Sequence, residues 1–190
     1  LYTPEAVDRG FSELRDFWDA KLRKLQVSTP NENMNISLNQ WNLYQSEVNL
    51  FFSRFTSFIE VGGRTGLGYR DTAQDSMCVP HSNPEMSMRR IRQLLRGQVS
   101  AGYGLHLFDP DWFDENAKQR SPSPTVVPTA GDKKIIHGLE HTCADDALWL
   151  IPAIVENLRE SGDFSLLDEV IPYADSGEGT VLEHMKRILD

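Results

Sequence analysis

The chain has 190 residues, 39% of them hydrophobic and 25% charged, which suits one sizeable core or part of a larger domain. A net charge of −9 and an isoelectric point near 5.0 argue against a nucleic-acid binder, whose surface is normally basic. The longest apolar run, "ALWLIPAIV" at 147–155, is too short to span a bilayer, and two cysteines, Cys78 and Cys143, are too few for a disulfide scaffold.

Free thiols and no visible signal peptide lead to the expectation of a cytoplasmic protein with no membrane partner. The start lacks a Met and the end falls inside a helical pattern, so an excerpt of a longer protein is expected. Residues 4–26 carry Val7, Phe11, Leu14, Trp18, Leu22 and Leu25 at steps of three and four, one helix face, with Pro4 suited to a first turn. Residues 31–59 repeat the period through Met34, Leu38, Trp41, Tyr44, Val48, Phe52, Phe55 and Ile59, as one long helix or two joined at a kink.

"GGRTGLGYRDTAQD" (62–75) follows as a glycine-rich hook that ends on two carboxylates. Its glycines at 62, 63, 66 and 68 allow close approach of a ligand. It is neither a phosphate-binding loop of the Gly-Lys-Ser/Thr type nor a dinucleotide fingerprint. A helix beginning near Asp71 would place Asp71 and Asp75 on one face, with Asp71 at its open N-terminus. "NPEMSMRRIRQLL" (83–95) is a clear helix with Asn83 as cap and Met88, Ile91 and Leu95 inward. Its basic run "RRIRQLLR" (89–96) reads as a solvated face.

Residues 100–143 show no regular period, and Tyr103, Phe108, Trp112 and Phe113 there would either tack the segment to the core or stack on sugars. "DALWLIPAIVENLRESG" (146–162) is a helix with a stripe of Leu148, Ile151, Val155 and Leu158 and a kink expected at Pro152. "TVLEHMKRIL" (180–189) is the last, with Thr180 and Glu183 spaced for a capping box. The period therefore gives an all-α fold with long irregular loops at the helix ends.

"GLGYRDTAQD", preceded by "NQWNLYQ" (39–45) and "SRFTSF" (53–58) and followed by "CADDALWLIPAI" (143–154) and "ESGDFSLLDEVIPYADSGEGTVLEHMKRIL" (160–189), resembles the inverting glycoside phosphorylases of the cellobiose and cellodextrin phosphorylase family, glycoside hydrolase family 94. The blocks keep the family's order, and "GYGLHLFDPDWF" looks closer to its cellodextrin and cellobionic acid members. The resemblance implies that residues 1–190 are the N-terminal portion of an (α/α)6 barrel catalytic domain with no second domain. It implies phosphate-driven cleavage of a β-1,4-glucosidic bond in a cellodextrin or cellobionic acid, giving α-glucose 1-phosphate.

Asp71 takes the position of the general acid, with Tyr69, Arg70 and Arg64 as substrate-binding residues. Phosphate is a co-substrate, no metal or organic cofactor is expected, and the family's habit is a homodimer. An inverting hydrolase needs an acid and a base, whereas phosphate is already anionic and needs no base. One carboxylate, Asp71, would therefore serve the chemistry. It must hold a proton in a dry pocket, with Arg70 turned away from it and Asp75 serving the scaffold. The phosphate-binding histidines of the family have no position in this chain, so it is expected to be inactive or unfolded alone.

Two alternatives differ in class. "HGLEH" (137–141) matches the inverted zincin pattern, with His137 and His141 as zinc ligands and Glu140 as base. The other is a helical scaffold without catalysis. His81, His106 and His184 look isolated, and Cys143, although near His141 in sequence, reads as a buried inert thiol.

Overall fold

A computed structural model describes residues 3–52, 67–108 and 143–190. The chain divides into two compact units, Leu1–Val48 and Asn49–Asp190. The described residues are mostly helical, as the period predicts.

In the first unit, α1 spans Pro4–Leu22. Thr3 caps it by accepting from the Ala6 N–H at 3.3 Å, and Pro4 occupies the turn where its missing N–H costs nothing. The helix stops four residues short of expectation. Its apolar stripe is real but uncovered: Val7, Phe11 and Leu14 are all exposed, and no residue of α1 is buried. Trp18 packs on Tyr44 with ring centroids 4.8 Å apart, and Lys21 pairs with Glu47 at 2.7 Å.

The expected second helix is one continuous rod with an internal defect. α2 (Glu32–Ile36) passes through a π-helical stretch, Ser37–Asn42, into α3 (Leu43–Phe52). A π segment inserts an extra residue into the ladder, so the helical run is not uniform. Residues 53–59 of that expected helix lie outside the described residues.

The second unit holds the core. β1 (Leu67–Gly68) leads directly into α4 (Tyr69–Ser76), and α5 (Pro84–Arg96) follows under an Asn83 cap. β2 (Leu107–Phe108) pairs antiparallel with β1, Gly68 opposite Leu107. A 3-10 turn, Ala147–Trp149, opens into α6 (Leu150–Ser161), which ends at Gly162 with φ of 65°. A second 3-10 turn, Phe164–Asp168, leads to a hairpin of β3 (Val170–Pro172) and β4 (Glu178–Thr180). α7 (Val181–Leu189) closes the chain with the expected capping box of Thr180 and Glu183.

Helices α4, α5 and α6 bury Ala73, Ile91, Leu94, Leu95, Leu150, Ala153 and Ile154 against one another, and each large side chain so buried contributes about 1.5–3 kcal/mol. A polar thread joins the same three helices through the core. Asn157 Nδ2 donates to Ser87 Oγ at 2.8 Å, and Ser87 Oγ donates to the Ser76 carbonyl at 2.7 Å. The thread satisfies groups that would otherwise be buried without partners.

Several expectations change here. The inward stripe of α6 is Leu150, Ala153, Ile154 and Leu158, whereas Leu148 and Val155 are exposed. A run as apolar as "ALWLIPAIV" does not reveal its own phase, because several faces look alike. Pro152 falls in the first turn of α6, and the irregularity is taken up by the 3-10 turn before it. The basic run of α5 is not merely solvated. Within the second unit, Arg90 donates to the Leu50 and Phe51 carbonyls at 3.1 and 2.7 Å, and Arg92 grips Glu169 at 2.8 Å. Tyr103 and Phe108 pack on the core, so both tack their segment down; Trp112 and Phe113 lie outside the described residues.

His184 is a core histidine whose ring sits between the Gln98 side-chain oxygen at 2.6 Å and the Ile171 carbonyl at 2.9 Å. Gln98 in turn donates to the Gly102 and His184 carbonyls. This lattice fixes the tight turn that returns the chain from α5 towards β2, where Gly102 has φ of 100°.

A Cβ at Gly102 would lie 1.9 Å from the Arg187 carbonyl oxygen, while one at Gly10 in α1 would meet nothing within 4 Å. Gly102→Ala is expected to lower stability by at least about 2 kcal/mol, through a left-handed backbone angle and a backbone clash together. Gly10→Ala is expected to raise it by up to about 1 kcal/mol through helix propensity. Urea titration of the two variants checks both signs.

Candidate active site

The site is built where β1 turns into α4. Gly68 has extended angles (φ −72°, ψ 124°), so the helix starts abruptly and its first turn carries Tyr69, Arg70 and Asp71. The Tyr69 N–H donates to the His106 carbonyl at 3.0 Å, which ties this helix start to the strand that begins one residue later. A Cβ at Gly68 would approach Asp71 Oδ2 to 3.2 Å, tighter than most such contacts, so glycine leaves that carboxylate room.

Asp71 is half-buried in the first turn, and Asp75 lies one turn on, buried in the same helix. The two thus share a face as the spacing predicts. First-turn N–H groups lack helical partners and, with the helix dipole, make this end receptive to negative charge.

Arg70 hydrogen-bonds outside its own helix, while the Asp71 charge still acts on it. Its Nη1 donates to Asp145 Oδ2 at 3.1 Å, a residue 75 positions further along the chain. That hydrogen bond holds the guanidinium above, and the Asp145 carboxyl below, their usual ranges. Trp149 Nε1 donates to the same oxygen at 3.4 Å, which keeps Asp145 from swinging away. Arg70 remains 43% exposed, so its other edge is open to a ligand.

Asp146, the neighbouring carboxylate, is fully buried. His106 Nδ1 donates to its Oδ2 at 2.8 Å and the Cys143 backbone N–H donates to the same oxygen at 3.3 Å. An ionised carboxylate only accepts, so Nδ1 is the donor in this contact. Asp146 Oδ1 is buried with no hydrogen-bond partner among the described residues, and so is the Tyr69 hydroxyl. Burial, and then the charge of Asp146, pushes the Tyr69 phenol well above its usual range.

The expected site residues divide accordingly. Arg70 and Asp71 share the rim of the α4 start. Tyr69 does not face an opening: its ring is fully buried beside Phe108, with centroids 6.2 Å apart, and Gly104 makes room for it. An aromatic at a helix start, two residues after the buried strand residue Leu67, is drawn into the same core. Arg64, His137, Glu140 and His141 lie outside the described residues.

Sequence reasoning missed Asp145, Asp146 and His106 as members of this site. The paired aspartates in "CADD" were a signal, because of two adjacent acids beside an apolar helix one is turned inward, and a buried carboxylate needs a partner. Cys143 is partly exposed rather than buried. With His106 and Asp146 it forms a group whose potential ligand atoms all lie within 4.8 Å of one another.

Two sequence blocks far apart in the chain thus close on one rim in one helical unit, and both belong to the set that resembles glycoside-cleaving catalytic domains. Residues 17–190 match the family described as "Glycosyl hydrolase 94 superfamily, catalytic domain", and the chain belongs to that family. It is 57% identical over 186 residues to the N,N'-diacetylchitobiose phosphorylase of Vibrio proteolyticus, a match covering 97% of this chain. The protein of the same name from Vibrio furnissii is 56% identical over the same length and coverage. A solabiose phosphorylase of Paenibacillus borealis is 28% identical over 185 residues and is covered to 19% of its length. The chain spans 23% of the length of the two Vibrio relatives.

Replacing Tyr69 by Phe removes a buried hydroxyl without changing the ring. The expected result is unchanged stability or a gain of about 1 kcal/mol, since an unpartnered polar group carries only its desolvation cost. A loss above about 1 kcal/mol in urea unfolding would show instead that the hydroxyl has a partner.

Proposed function

We propose that the full-length protein is an inverting phosphorylase of N,N'-diacetylchitobiose. It would use inorganic phosphate to release N-acetyl-α-D-glucosamine 1-phosphate and N-acetylglucosamine. The observation that carries this reading is the 57% identity to a protein of that activity across 97% of the chain. The cellodextrin or cellobionic acid substrate implied by the looser resemblance has weaker support, since a cellobionic acid phosphorylase from Neurospora crassa is 26% identical. The same reading makes these residues part of an (α/α)6 barrel, and it accords with the uncovered apolar stripe of α1, which the rest of such a barrel would pack against. Among the described residues no helix is long and apolar enough to cross a membrane.

In this reading phosphate attacks the anomeric carbon from the face opposite the bridging oxygen. The carbon–oxygen bond breaks, and the departing oxygen takes a proton from a carboxylic acid. Arg70, braced by Asp145, and Asp71 contact the bound sugar, and Arg64 joins them from the hook. Tyr69 serves by anchoring the start of α4.

Asp71 has two possible roles. As the acid implied by the resemblance it would supply the proton. As an ionised acceptor it would instead bind sugar hydroxyls, and its half-buried place in the first turn of α4, where free N–H groups and the dipole favour an anion, supports this second role.

Two measurements on the full-length protein test the proposal. With phosphate present, kcat/KM on N,N'-diacetylchitobiose is expected to exceed that on cellobiose by at least about tenfold, because a site built for the acetamido groups leaves its polar atoms unpaired without them. A preference for cellobiose or cellobionic acid would overturn the substrate assignment. Asp71→Asn is expected to slow cleavage of glycosides with good and poor leaving groups alike if Asp71 is an acceptor. If it is the acid, an activated leaving group restores the rate.

A further inference from the structure

We infer that His106, Cys143 and Asp146 form a binding site for a thiophilic divalent ion such as zinc. Three independent observations converge on it. The first is the donor set: an imidazole nitrogen, a thiol sulfur and a carboxylate oxygen, all within 4.8 Å of one another, are the ligand types that zinc combines in tetrahedral sites.

The second is how the fold supplies them. Cys143 and Asp146 come from one turn, closed by a hydrogen bond from the Asp146 N–H to the Cys143 carbonyl at 3.2 Å. His106 arrives from the start of β2, fixed by its carbonyl's bond to the Tyr69 N–H. Two ligands on a tight turn and a third from a distant segment leave one coordination position for water.

The third is an unpartnered buried oxygen. Asp146 is fully buried, and among the described residues its Oδ2 is held by the His106 ring and the Cys143 backbone N–H while its Oδ1 has no hydrogen-bond partner. Buried carboxylates are normally paired with a cation or bound to a metal.

The His106–Asp146 pair needs only a small adjustment. With zinc–nitrogen and zinc–oxygen bonds of about 2.0 Å, a tetrahedral site sets the His106 nitrogen and Asp146 oxygen about 3.3 Å apart. They are now joined by a hydrogen bond of 2.8 Å, so the ion replaces the bridging proton and opens the pair slightly. The imidazole nitrogen that binds the ion gives up its proton, and the Cys143 thiol gives its own to solvent. Binding therefore releases protons, and affinity falls as pH is lowered.

This site does not depend on the proposed phosphorolysis, and its test reads no activity. The full-length protein is titrated with cobalt(II) and then with zinc, and the same is done for Cys143→Ser and His106→Gln. The wild type is expected to show a thiolate-to-cobalt charge-transfer absorption that zinc abolishes. Cys143→Ser should lose that band while keeping its circular dichroism spectrum, and both variants should bind zinc at least tenfold more weakly. If the wild type shows no such band, or Cys143→Ser keeps both band and affinity, the site is only a hydrogen-bonded cluster and the inference fails. Should His106→Gln prove misfolded, the Cys143→Ser comparison decides alone.

Discussion

Two adjacent carboxylates, Asp145 and Asp146, hold the candidate site together. They stand at the entrance to α6 and reach in different directions. Asp145 braces Arg70 from the exposed side, at 3.1 Å, and Asp146 holds His106 from the buried side, at 2.8 Å. Through these contacts the α6 entrance is joined to both β1–α4 and β2, and the first turn of α4 is given a fixed orientation. The exposed ion pair contributes little to stability in itself, as such pairs rarely do. Its consequence is positional: a guanidinium with one edge occupied presents the other in one direction.

The core beneath gives this rim its rigidity. Tyr69 is the hinge between the two, since its backbone N–H belongs to the rim and its ring to the interior. Ala73 and the Ser76–Ser87–Asn157 thread carry α4 onto α5 and α6, and the helix cannot slide without breaking buried hydrogen bonds. The candidate site rests on a short helix that would be marginal by itself and is held by tertiary contacts.

Much of this was legible in the sequence. Caps at Asn83 and Thr180, the start of α1 at Pro4 and the inward positions Ile91 and Leu95 follow from spacing and residue chemistry. The phase of α6 was not legible, since an all-apolar run fits several faces equally. Nor were the β1–β2 pair and the β3–β4 hairpin, whose two- and three-residue strands are too brief to show alternation. The pairing of position 70 with 145 and of 106 with 146 depends on the tertiary fold, which no local pattern encodes. The burial of Tyr69 shows the same limit: a motif marks a residue as important without saying whether it touches the ligand or holds what does.

A crystal structure of the full-length protein with its disaccharide bound tests the central claim most directly. The account predicts a sugar ring seated against the first turn of α4, with the Arg70 guanidinium and the Asp71 carboxylate each about 3 Å from a ring substituent and Asp145 still on Arg70. A disaccharide bound elsewhere, with both side chains beyond hydrogen-bond reach, would contradict it.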